Sequence, residues 1–435
     1  MTEGRPLRLI VRFSIPMLIA NALQMLYMVA DSAIVGRILG INAFASVGAT
    51  VTFFWFAFSM VLGIMQGFGV YFGQRFGAKD AASLKNALVT SIYLSAAISI
   101  VMGAAIFFGI GGLFRLMRTP PELIDGAILY MRVFACGMPI IFAYNLLSTA
   151  LRSLGDSKTP LYVMMFCTAL NIALDFALVF PFGIAGVGAA TLLSYIAASA
   201  ICARALWKTG VLKGCGIKPD GIAARTLLRL GLPLGFRNSV IEVGALVVQR
   251  YANEYGGDFV AGIAVAKRMY SLLMIAGGAF EAAVGTFVAQ NIGAGRIDRV
   301  KKGVNDGLKL MLSSSVVISA AALLFGRFLL GLMFDGEPEQ LAAVIDIGYR
   351  QLSILAFGLP LVYLLFLYRS TLQGMGKPLV PMLSGVFELI PRVLLVIFLT
   401  PVFGEWCVYI SDPLGWIPAT ALLAAMYYRA IRKTS

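Results

Sequence analysis

The chain contains no histidine, and only 13% of its 435 residues are charged. The first absence removes histidine metal sites, Ser-His-Asp and Cys-His catalysis, and imidazole proton relays. The second excludes an ordinary soluble protein, in which about a quarter of residues carry charge. No polar segment is long enough to form a separate soluble domain. The five cysteines, Cys136, Cys167, Cys202, Cys215 and Cys407, are scattered and odd in number. Most lie in apolar runs, so buried thiols are expected rather than a disulfide framework. No phosphate-loop pattern occurs, which argues against an ATP-driven pump. The opening MTEGRPLRLIVRFSIP does not read as a cleavable leader, because the run it enters is too long and too polar at its end. The first helix is expected to serve as its own insertion signal.

What the chain does have is apolar length. It is 60% hydrophobic, and its apolar runs are long and do not alternate, which favours helices over a barrel. The expected fold is an all-α integral membrane protein with twelve transmembrane helices in two six-helix lobes. The spans read as roughly 13–38, 46–73, 86–114, 127–151, 159–180, 184–207, 226–251, 258–290, 304–333, 342–372, 378–400 and 405–430. The net charge of +14 would suggest nucleic-acid binding in a soluble protein. Here the bases collect in the loops after every second span, among them Arg75, Lys79 and Lys85, and Arg296, Arg299, Lys301 and Lys302. That is the cytoplasmic bias of membrane proteins, so no nucleic-acid partner is expected. The opposite loops are poorer in bases, and one carries the acidic run Asp335–Glu339. Both termini are therefore expected in the cytoplasm and the chain in the inner (cytoplasmic) membrane, against lipid, as a monomer.

The longest polar connection, from Lys208 to Arg225, divides the chain into a first lobe, 1–215, and a second, 216–435. The halves resemble each other. Arg12, Pro16 and Asn21 recur as Arg229, Pro233 and Asn238; Gly69, Gln74, Gly77, Ala78 and Lys85 recur as Gly285, Gln290, Gly293, Ala294 and Lys301; Gly155 and Pro160 recur as Gly376 and Pro381. Blocks in the same order indicate duplication. An even number of spans per half makes the repeat parallel, with pseudo-two-fold symmetry about the membrane normal. Transporters built this way place a cavity at the repeat interface and open it alternately to each side.

Polar residues inside the spans are few. An aspartate at mid-membrane costs roughly 2.5–3.5 kcal/mol on insertion scales, so Asp31 in the first span needs a reason. Gln24, Tyr27 and Asp31 follow at steps of three and four and share a stripe. Asn171 and Asp175 share a face of the fifth span, and Thr191 lies in the sixth. Two carboxylates with amide and hydroxyl oxygens suit a hard cation, and two such acids out of water also suit proton carriage. Ion coupling is the favoured reading for Asp31 and Asp175; helix-to-helix hydrogen bonding is the rival, and it is preferred for Asn21. Pro16 precedes Asp31 by about four turns and permits a bend, static or gating. In the second half Glu242 lies inside the seventh span, Lys267 and Arg268 near the start of the eighth. Glu388 and Arg392 are expected to pair. Asp412–Pro413 suggests a broken twelfth helix. The turns QRFGAKD (74–80) and QNIGAGRID (290–298) read as structural.

These features, with LQMLYMVADSAIVGRILG in the first span, LRSLGDSKTP and NIALDFALVFPFGIAGVGAA, resemble the multidrug and toxic compound extrusion (MATE) family over essentially the whole chain. The resemblance implies antiport without an organic cofactor: Na⁺ or H⁺ entry driving export of drugs, often cationic, or metabolites. It places ion coupling at Asp31, Asn171, Asp175 and Thr191, with Na⁺ held by the first three if Na⁺ is the ion. Gln24, Tyr27 and Glu242 then line the substrate cavity, and Pro16 is the bend. Some members use two acids in the second lobe. Glu242 is similar to one of them, but LPLVYLLFLYRSTLQ in the tenth span holds no acid, which puts coupling in the first lobe. A lipid-linked saccharide flippase of the same superfamily is the alternative, and the acid cluster argues against it. An intramembrane enzyme would need a paired nucleophile and base or a metal cluster.

Overall fold

The computed structural model describes residues 1–117, 119–212, 218–333 and 338–434, and within them the side chains of all but 28–30, 32, 33, 41, 42, 44, 338, 433 and 434. Cys215, the middle of the 208–225 connection, and residues 335–337 of the acidic run lie outside the described residues.

Twelve helices among the described residues are long and apolar enough to cross a membrane. They are α1 (6–39) and α2 (41–77), separated at Gly40, then α3 Ala81–Leu116, α4 Pro121–Ser153, α5 Lys158–Phe182, α6 Ile184–Lys208, α7 Gly221–Tyr255, α8 Gly257–Gly293, α9 Ile297–Gly331, α10 Glu339–Gly374, α11 Leu379–Phe403 and α12 Trp406–Arg432. The apolar runs locate all twelve. Six of the twelve helices extend a turn or more beyond the apolar run at one end or both, because backbone hydrogen bonding continues past the hydrocarbon boundary. The outer faces stay apolar: Phe108, Phe180, Leu324 and Phe357 are 73–81% exposed, a surface suited to lipid rather than water.

The chain forms two compact units, Ile15–Gly235 and Phe236–Ser435 with Met1–Ser14. In the first, rings of α2, α3 and α4 close the core, with Phe54 and Phe134 centred 4.6 Å apart and Phe53 and Phe114 5.2 Å apart. The same unit contains a close helix crossing. A Cβ on Gly67 of α2 would lie 2.5 Å from the Cα of Gly231 on α7, and one on Gly63 would lie 2.6 Å from the Cα of Gly235. Both helices spell G-x-x-x-G here, the spacing that lets backbones touch where lipid supplies no hydrophobic drive. In the second unit Tyr363 of α10 reaches α8, donating to Leu273 O at 2.7 Å and accepting from Gly277 N–H at 3.1 Å.

The duplication is written in the backbone. Residues with positive φ recur at equivalent places: Gly40 (φ 82) with Gly256 (φ 88), Gly155 (φ 94) with Gly376 (φ 74), and Gly183 (φ 56) with Gly404 (φ 58). In the α2–α3 turn the position of Gly295 (φ 69) is taken by Lys79 (φ 57). Asp80 completes that turn, accepting from Ser83 N–H at 3.0 Å and from Arg75 at 3.3 Å. The Ser83 hydrogen bonds first, then Arg75, hold its carboxyl below the usual carboxylate range.

Two local features depart from simple helices. Residues Leu395–Leu399 of α11 are π-helical, ahead of Pro401, which cannot donate back into the helix. The expected interruption at Asp412–Pro413 is absent: α12 runs unbroken through Pro413 and Pro418. A proline inside a membrane helix removes one donor, and local adjustment absorbs the loss.

Left-handed backbone costs a non-glycine residue about 1–2 kcal/mol. Lys79→Gly is therefore expected to stabilise the protein by about 1 kcal/mol, and Gly295→Lys to destabilise it by a similar amount. Thermal unfolding of both variants checks this. A Lys79→Gly protein that melts no higher than the parent would contradict it.

Candidate functional site

The polar residues of α1, α5 and α6 meet in one unit. Tyr27 and Asp31 stand four apart on α1, Asn171 and Asp175 four apart on α5, so each helix presents its pair on one face. Asn171 and Asp175 are fully buried, and Asp31 is half-buried. The Tyr27 hydroxyl lies 2.9 Å from Thr191 Oγ1. With its amide turned to satisfy both neighbours, Asn171 donates to Asp175 Oδ2 at 3.1 Å and accepts from Thr191 N–H at 3.3 Å. The carboxyl groups of Asp31 and Asp175 lie within electrostatic and hydrogen-bonding reach of each other. Oδ1 of each is buried and accepts no hydrogen bond. Ile34, Val35, Val179 and Val187, on the same three helices, form a buried apolar cluster, and among the described residues no Lys or Arg forms an ion pair with either acid.

Ionised carboxylates only accept, so two of them within reach of each other need a shared proton or a cation between them. The carboxylate oxygens of Asp31 and Asp175, with the Asn171 amide and Thr191 hydroxyl oxygens of the same network, are an all-oxygen donor set of the kind hard cations prefer. Among the described residues no group of three or more His, Cys, Asp or Glu could hold a metal ion.

The other sequence candidates lie elsewhere. Gln24 is half-buried one turn before Tyr27 and makes no hydrogen bond to the cluster. Pro16 is buried, and α1 runs through it with helical dihedrals; the one non-helical residue between 6 and 77 is Gly40, where α1 ends. Glu242 belongs to the other unit, half-buried within electrostatic reach of Arg392. Two residues escaped sequence reasoning. Tyr130 of α4 lies within electrostatic reach of both aspartates, and Tyr195 of α6 within reach of Asp31. Tyr130 has no polar neighbour at i, i+4, the signal that exposes the rest, whereas Tyr195 stands four residues after Thr191 and could have been found that way.

The second unit holds a chain of buried ion pairs. Arg369 of α10 pairs with Glu388 Oε2 at 2.8 Å, Arg392 with Glu388 Oε1 at 3.0 Å, and Arg392 with Asp412 Oδ1 at 3.2 Å. The expected Glu388–Arg392 pair is present. Arg369 was visible in the tenth span, where only the absence of an acid had been noted.

A double-mutant cycle of Tyr27→Phe and Thr191→Val tests the hydrogen bond that ties α1 to α6. It is expected to give a coupling of about 0.5–1.5 kcal/mol in thermal unfolding; strictly additive losses would contradict the contact.

The family model MatE matches residues 16–177 and 233–398, the same part of each half. Among curated proteins the chain is 31% identical over 408 residues to the probable multidrug resistance protein YpnP of Bacillus subtilis (strain 168), covering 93% of this chain and 90% of that one. It is 30% identical over 398 residues to the probable multidrug resistance protein YoeA of the same organism, covering 87% and 83%. Its fold matches an outward-facing structure of a multidrug resistance MATE family transporter of the MOP superfamily, with TM-score 0.91, 24% identity, and 99% and 97% of the two chains covered. Twelve spans in a duplicated six-helix pattern, a match to the family model in each half and relatives covered almost end to end lead to one conclusion: this chain belongs to the MatE family of multidrug efflux transporters, and is a multi-pass membrane transporter rather than an enzyme.

Proposed function

We propose that this protein is a secondary antiporter that exports drugs or other small organic compounds in exchange for Na⁺ or H⁺ by alternating access. The observation that carries the reading is the approach of the Asp31 and Asp175 carboxyls to within hydrogen-bonding reach, each with a buried, unpartnered Oδ1. Such a pair cannot hold two negative charges out of water, so it exchanges one positive charge with its surroundings. Asn171 orients Asp175, and Thr191 with Tyr27 links α1 to α6. Charge at Asp31 thereby acts on the helix that also contains Pro16, whose missing N–H leaves α1 open to bending. Gln24 and Glu242 are assigned to the path of the exported compound. The relatives' multidrug resistance names support a broad organic substrate class. The basic loops after every second span support cytoplasmic termini in a bacterial cytoplasmic membrane.

The test is flux in proteoliposomes holding the full chain, with cationic, zwitterionic and anionic fluorescent dyes and with Na⁺ and pH gradients imposed separately. One gradient is expected to drive uphill dye movement. Asp31→Asn and Asp175→Asn are each expected to slow it at least tenfold, about 1.4 kcal/mol of lost driving interaction, while size-exclusion behaviour stays native. Export at the parent rate by both variants, or fast ion flux independent of any dye, would sink the proposal.

A further inference from the structure

The ion-pair chain of the second unit takes no part in the exchange described above, and its hydrogen bonding is incomplete. Arg369 uses one donor, Nη2, on Glu388. Arg392 uses Nη2 on Glu388 and approaches Asp412 with the same atom. Both side chains are only 5–6% exposed, yet Nε of each is buried with no acceptor. On the acidic side, Glu281 Oε1 of α8 is buried without a donor, within electrostatic reach of Arg237 and Arg369. Buried donors and acceptors are normally paired, so spare donors and a spare carboxylate oxygen leave this cluster with hydrogen-bonding capacity for a molecule that supplies both.

The arginines occupy space cleared for them. A Cβ on Gly415 of α12 would lie 3.0 Å from Arg392 Nε and 2.6 Å from Glu388 O, and one on Gly385 of α11 would lie 2.9 Å from Arg237 Cγ. Glu388, whose two oxygens bridge the two guanidinium groups, shows that the forks are spaced to grip a carboxylate. Beside Gly415, Trp416 stacks on Tyr270 at 6.0 Å, an aromatic surface for an organic body.

Charge decides the ligand class. The buried and half-buried cations Arg237, Lys267, Arg369 and Arg392 are matched by Glu242, Glu281, Glu388 and Asp412. A lone anion or a lone cation would unbalance a desolvated cluster; a molecule carrying one of each would not. We propose that this cluster is a binding subsite for a small organic zwitterion, its carboxylate or phosphate on Arg369 and Arg392 and its ammonium on Glu281. The proposal rests on the transporter reading for the fate of the ligand, but binding at equilibrium does not require ion coupling.

The experiment is ligand-observed NMR titration of the full-length protein in micelles with three matched probes. These are 4-(aminomethyl)benzoic acid, its methyl ester and its N-acetyl derivative, which are zwitterionic, cationic and anionic. The zwitterion is expected to bind about tenfold or more tightly than either relative. The charge-neutral double variant Arg369→Gln/Glu388→Gln, with native size-exclusion behaviour, is expected to lose that preference. Arg392→Lys, which keeps the charge but loses the fork, is expected to weaken it. Displacement of the probe by phosphatidylethanolamine but not by phosphatidylglycerol would place the zwitterion on a lipid headgroup; no displacement by either would make it a soluble compound, and both results support the site. Equal binding of the three probes, or an undiminished preference in the double variant, overturns it. Asp31→Asn is expected to abolish coupled flux yet bind the zwitterion normally, so failure of the coupling site and failure of this subsite are distinguishable.

Discussion

Two carboxyl groups within hydrogen-bonding reach of each other, one fully buried and one half-buried, impose a charge requirement that the first lobe has to meet. In water the pair would be solvated and repel. Among apolar side chains the charged forms are costly, and a proton or a monovalent cation becomes part of the stable arrangement. The neighbours then have defined tasks. Asn171 bridges Asp175 to the backbone of α6, and Tyr27 and Thr191 join α1 to the same helix. In the proposed cycle three helices share one exchangeable charge, the minimum apparatus for turning ion occupancy into helix movement.

Duplication supplied two copies of a six-helix plan and left their interiors free to diverge. Matching turns, Gly40 with Gly256 and Gly183 with Gly404, show how closely the backbone plan was kept. The chemistry did not follow. The repeat position of Asp31 is Val248, and that of Asn171 is Arg392. Where the first lobe has an acid pair with no arginine partner among the described residues, the second has Arg369, Glu388, Arg392 and Asp412 linked in a chain. One lobe is suited to carrying a bare positive charge. The other is neutral in sum but rich in unmatched donors, which suits a polar organic molecule.

Much of this was legible in the residues. Apolar run length located the twelve spans, since crossing a bilayer by helix admits few other solutions. Spacing of three and four exposed the Tyr27–Asp31 and Asn171–Asp175 faces, because helical periodicity is a local property. Contacts between helices distant in the chain were not legible. Tyr130 joins the aspartates, and Arg369 joins Glu388, only through packing, and neither has a local partner to reveal it. Asp412–Pro413 misled for the opposite reason: proline has a strong local signature, yet α12 absorbs the missing hydrogen bond and remains continuous.

The central claim is that Asp31 and Asp175 together hold one exchangeable positive charge. Infrared difference spectroscopy of the full-length protein in lipid reads this directly, through the carbonyl stretch of protonated carboxylic acids. On raising the pH, or on replacing protons by Na⁺, a single protonated-carboxyl band is expected to disappear, and it should be missing from the Asp31→Asn/Asp175→Asn protein. Loss of two such bands, or no change that depends on these two residues, would contradict the account.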